Sequence, residues 1–96
     1  MAKTILIVDD DPAQRRLLQA AVERNGFMTR TAENGRQAVD AVDTHADIDA
    51  VMLDLVMPGM SGQEALKEIR QRRSDLPCIV LTASGDRKSV VTGKRV

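Results

Sequence analysis

Continuous apolar runs and helix-spaced segments alternate along the chain. Thr4-Ile5-Leu6-Ile7-Val8 is apolar after its first residue and stops at Asp9-Asp10-Asp11-Pro12. A run of this kind reads as a strand buried on both faces. Asp11 before Pro12 is a helix-start signal, with Asp11 as N-cap. A helix is predicted over Pro12–Arg24, with Leu17, Leu18, Ala21 and Val22 as its apolar face and Gln14, Arg15, Arg16, Gln19 and Glu23 largely solvated. Asn25-Gly26 ends it through a left-handed glycine. Residues 27–32 alternate weakly around Arg30 and read as an edge strand. After the Asn34-Gly35 turn, a short helix is predicted over 36–43 and a loop over 44–47. Ile48–Asp54 is the third strand, and the loop that follows carries the turn signature Met57-Pro58-Gly59. A helix over 62–73 turns Ala65, Leu66 and Ile69 inward, and 78–82 is the fourth strand. The succession β-α-β-α-β-α-β with short connections predicts an α/β fold, a parallel sheet doubly wound by helices on both faces.

The third strand stops at a single carboxylate, Asp54, and the first stops at Asp9 and Asp10. Open α/β sheets build their sites at the carboxyl ends of their strands. If strands one and three are neighbours, three carboxylates converge in one crevice. Unpaired carboxylates repel, and a cation relieves the repulsion. Oxygen ligands with open positions suit Mg²⁺, which keeps waters and bridges to phosphate oxygens. Asp11 is set apart as the cap. Thr82 ends the fourth strand on the same rim and adds a hydroxyl.

Other chemistries fit less well. A flavin or dinucleotide site needs backbone N–H groups facing phosphate after strand one, where this chain has acids. No Gly-x-Gly-x-x-Gly, P-loop or Gly-x-Ser-x-Gly motif occurs. His45, the sole histidine, falls in a polar loop and reads as solvated. An aspartyl phosphatase needs a second acid two residues after the nucleophile, where Val56 stands. The remaining fit is a carboxylate that accepts a phosphoryl group with Mg²⁺ assistance.

Composition narrows the picture a little. The 96 residues allow one modest core, and the net charge is zero. Residues 86–96 carry four basic side chains against Asp86, so the body is mildly acidic and the tail basic. Neither that balance nor the single aromatic residue, Phe27, makes a case for direct nucleic-acid binding. Cys78 is alone in an apolar run and reads as a buried, inert thiol. No run is long enough to span a bilayer, and the default location is the cytoplasm.

Three motifs in order, Ile5 to Pro12, Met52 to Gly62 and Ile79 to Ala83, resemble the receiver domain of two-component response regulators. The likeness covers residues 3–85. It implies a flavodoxin-like sheet with strand order 2-1-3-4. It also implies a role for individual residues. Asp54 matches the phosphoacceptor, supplied by a histidine kinase or a phosphotransfer protein. Asp9 and Asp10 match the acidic pair that holds Mg²⁺, with Asp10 favoured over Asp9 as the direct ligand. Val56 matches the position whose backbone carbonyl joins the metal, and Thr82 the switch hydroxyl, with Ala83 leaving it room. Such a domain is not an enzyme in the usual sense; at most it catalyses its own phosphorylation and dephosphorylation. Its output domain would lie elsewhere. The alternative is a receiver-like interaction module that works without phosphorylation.

The chain departs from the family where the likeness ends. Ser61 stands where many members carry Asp. A complete receiver continues through a fourth helix, a fifth strand ending in Lys-Pro and a fifth helix. Residues 86–96 fit none of these and read as a truncated or foreign junction. Residues 1–85 are therefore expected to form an incomplete receiver whose fourth strand is a bare, aggregation-prone edge. Marginal stability or oligomerisation is expected to follow.

Overall fold

A computed structural model describes residues 2–54, 62–84 and 87–92, with side chains as far as Leu81. The elements run β1 (Thr4–Val8), α1 (Pro12–Arg24), β2 (Met28–Ala32), α2 (Gly35–Thr44), β3 (Ile48–Asp54), α3 (Gly62–Arg72), β4 (Cys78–Ser84) and β5 (Arg87–Thr92). The sheet order is β2-β1-β3-β4-β5. The first four strands are parallel and stand in the order 2-1-3-4 that the resemblance implied.

Local chemistry explains the boundaries. Asp11 is extended (φ −88°, ψ 115°) and its carboxylate accepts the Ala13 N–H at 3.0 Å, so it is the N-cap expected. Asn34 caps α2 in the same way, accepting the Gln37 N–H at 2.9 Å. Gly26 has φ +93°, and the N–H groups of Gly26 and Phe27 return to the Glu23 and Val22 carbonyls. That left-handed turn is open to glycine at little cost. The β1–β3 register slips between Thr4 and Ile5, which skips Asp49, and the Asp49 carboxylate accepts the Thr4 N–H at 2.8 Å.

Strand periodicity divides the sheet's two faces. Leu6, Val8, Val51, Leu53 and Cys78 share one core with Ala38, Val39 and Val42 of α2 and Ala65 and Ile69 of α3. Arg72 ties these helices together, with Nε 2.9 Å from Asp43 and Nη1 3.3 Å from Glu68. The other face carries α1, and no residue of α1 is buried. Its Gln19 flank leans on β2, where the Gln19 amide donates to Thr29. On its opposite flank a groove of about 390 Å³ remains, lined by Leu18, Ala21, Val22, Phe27, Met52 and Ile79 among others. The expected inward position of Leu17 is corrected: it is 67% exposed. A helix supported along one flank turns only part of its apolar stripe toward the sheet.

The tail also differs from expectation. Residues 87–92 form β5, antiparallel to β4 from Ile79↔Thr92 to Ser84↔Arg87. The bare edge expected along β4 is therefore covered, because a hairpin return satisfies the strand's outer N–H and C=O groups. The fifth strand is supplied by the basic tail, and it runs opposite to its four neighbours. Among the described residues no helix follows α3.

Candidate functional site

The register of β1 and β3 builds the site. Val8 is paired with Leu53, so the next residues, Asp9 and Asp54, stand side by side at the carboxyl ends of the two strands. Asp9 is 1% exposed, Asp54 is 5% exposed and Asp10 is open to solvent. One carboxylate oxygen from each of the three can be chosen so that all lie within 4.8 Å of one another. These are the three acids singled out in the sequence, and β1 and β3 are the neighbours that their convergence required.

Asp9 is held at three points. Its N–H donates to the Ala32 carbonyl at 3.2 Å, at the end of β2. Its carboxylate accepts the Asp11 N–H at 3.0 Å. Its carbonyl accepts a hydrogen bond from Arg15 Nη1 at 2.8 Å. Arg15 Nη2 also stands 3.9 Å from Glu33. Arg15 was expected to be largely solvated, yet its side chain is 17% exposed and braces the acidic loop. Its place one turn into α1, six residues after Asp9, was the available signal.

The remaining expected residues are less uniformly placed. Thr82 lies in β4 immediately after Leu81, the partner of Asp54, so its backbone is on the same rim. The side chains of Thr82 and Ala83 lie outside the described residues, as do Val56, the Met57-Pro58-Gly59 turn and Ser61. His45 is the C-cap of α2, at the far end of β3 from Asp54, and is half-buried. Cys78 is buried; burial pushes its thiol above the ordinary value, against a smaller opposite effect of Arg70. It takes no part in the site.

The donor set is all oxygen and anionic, two acids buried and one open. That combination fits a hard divalent cation such as Mg²⁺ and fits soft-metal or thiolate chemistry poorly.

The family model for the response regulator receiver domain matches residues 5–96. The chain belongs to this family. It is a receiver domain of two-component signalling, a phosphoacceptor module and not an enzyme of the ordinary kind. The transcriptional regulatory protein ResD of Bacillus subtilis is 42% identical over 93% of this chain and 36% of its own length. The chain thus spans about a third of that relative. Response regulator protein TrrA of Thermotoga maritima, solved in complex with Mg(2+)-BeF, is 42% identical, with a TM-score of 0.82 over 86% of this receiver and 71% of that chain. TrrA in complex with the histidine kinase ThkA matches 91% of the receiver and 75% of that chain, with a TM-score of 0.79 and 42% identity. The match to the family model runs through the tail as well as the body. Among the described residues no helix is long and apolar enough to cross a membrane.

Proposed function

We propose that Asp54 is the phosphoacceptor of this receiver and that Asp9, Asp10 and Asp54 bind Mg²⁺. The observation that carries the reading is the convergence of the three carboxylates at the carboxyl ends of adjacent strands. An Asp54 carboxylate oxygen attacks phosphorus, the bond from phosphorus to the donor nitrogen breaks, and the donor imidazole leaves. The product is an aspartyl phosphate. Bound Mg²⁺ would neutralise charge on the phosphoryl oxygens beside acids that otherwise repel them. Asp9, fixed at amide, carbonyl and carboxylate, offers a preformed ligand; exposed Asp10 offers a second. By the likeness to other receivers, the Val56 carbonyl would join these ligands and the Thr82 hydroxyl would meet the new phosphoryl group.

The phosphoryl donor is a sensor histidine kinase or a phosphotransfer protein, and the domain works in the cytoplasm. The solved complex of TrrA with ThkA supports that class of partner. Hydrolysis of the aspartyl phosphate by the domain itself resets the switch. Residues 1–85 carry every proposed site residue, and 86–96 carry none. The output acts through a further domain, in keeping with relatives much longer than this chain. The domain itself contacts neither nucleic acid nor membrane.

The test is labelling with radioactive acetyl phosphate in Mg²⁺. Hydroxylamine-sensitive label is expected in the wild-type chain and not in Asp54→Asn or with EDTA. Label of the same chemistry on a folded Asp54→Asn chain would overturn the assignment.

A further inference from the structure

Asp9 and Asp10 share one peptide unit, and its carbonyl is the group that Arg15 holds at 2.8 Å. The orientation of that unit sets the direction in which the Asp10 side chain leaves the backbone. Asp10 is exposed, whereas Asp9 is buried and bonded at its amide and carboxylate as well. Arg15 reaches the unit from the first turns of α1, where its own N–H bonds the Asp11 carbonyl at 2.9 Å. The guanidinium therefore closes a loop between helix and acidic turn, and Glu33 faces its other end at 3.9 Å.

We propose that Arg15 is a positioning residue for the Mg²⁺ site: it fixes the Asp9–Asp10 peptide so that both carboxylates face the cation. This rests on the reading of the acids as metal ligands given above. The sign of the effect separates positioning from simple electrostatics. A guanidinium beside the site repels a cation, so removing its charge alone would tighten Mg²⁺ binding. Removing a brace on the ligands loosens it. Hydrogen bonds that orient metal ligands are typically worth about tenfold or more in affinity.

The experiment is a Mg²⁺ titration of the full chain followed by ¹⁵N NMR at the amides of Asp10 and Asp11. Arg15→Gln should weaken binding about tenfold. Arg15→Lys, which keeps the charge and one donor, should recover part of the loss. Arg72→Gln, which breaks the α2–α3 tie, should leave the affinity unchanged even if the melting temperature falls. In the metal-free chain the Asp11 amide, bonded to the Asp9 carboxylate, should exchange with solvent faster in Arg15→Gln than in the wild type. Unchanged or tighter Mg²⁺ binding in Arg15→Gln overturns the proposal. Should Arg15→Gln not fold, Arg15→Lys decides by itself, with wild-type affinity and exchange as the overturning result. Asp54→Asn labelling separates the two readings. Loss of label there, with unchanged affinity in Arg15→Gln, removes only the role of Arg15. A wild-type chain that binds no Mg²⁺ removes both.

Discussion

The two faces of the sheet are built from similar residues and finished differently. On one, α2 and α3 lie side by side, and Leu6, Val39, Leu53 and Ile69 are fully buried between them and the strands. On the other, α1 is the one helix among the described residues, none of its residues is buried, and Ile5, Met52 and Ile79 floor an open groove. All three helices are amphipathic. What differs is whether a second helix closes the space beside the first. An apolar stripe becomes core only when neighbours exclude water from both of its flanks.

The comparison breaks first at the closed face. Leu6→Ala should cost about 3 kcal/mol, by lost transfer energy and a cavity that cannot collapse. Leu17→Ala, on the open side, should change stability by less than about 0.5 kcal/mol. Urea unfolding of both variants checks this; equal costs would mean that Leu17 is covered in solution. The thiol sharpens it next. Cys78 is buried on the closed face, and burial disfavours its thiolate. Its reaction with a disulfide reagent should follow the urea unfolding curve, and fast reaction under native conditions would show local opening there.

Polarity at the groove is a smaller effect. Ala21→Gln should be nearly neutral in melting temperature, whereas Ala38→Gln on α2, fully buried, should lower it by several degrees. The smallest effect concerns a surface pair. Arg30 grips Asp47 through two bonds of 3.1 Å, and this pairing holds the Asp47 carboxyl below its ordinary value. A depressed carboxyl contributes stability above its unfolded pKa and loses it as pH falls through the folded one. Wild type should therefore lose slightly more melting temperature than Asp47→Asn between pH 5 and the region below about 3.8. Added salt should shrink the difference.

Much of the fold was legible because strong local signals agreed. Asp11-Pro12 started α1 where the cap is found, and Asn25-Gly26 stopped it. The run from Ile48 ended at Asp54, as the strand does. The site was legible because carboxylates following buried runs can only emerge at strand ends, and the register of β1 with β3 then brings Asp9 beside Asp54. The brace was not legible in this way. Arg15 looked like any other polar helix residue, because its place one turn into α1 shows only that a long side chain can reach the preceding turn, not that it folds back on it. The cover over β4 was missed for a similar reason: Val90, Val91 and Thr92 suit a strand, but a strand needs an edge to join, and the folded β4 offers one.

By itself the sequence determined the order of elements, the residues that end them and the acids that stand at the rim. Those properties depend on neighbours a few residues away. The tertiary structure decided which acids meet, which flank of α1 stays open, what covers β4 and which side chain steadies Asp9. Each of these is a relation between segments distant in the chain. It is set by strand register and by which surfaces find a partner, and local propensity has no access to either.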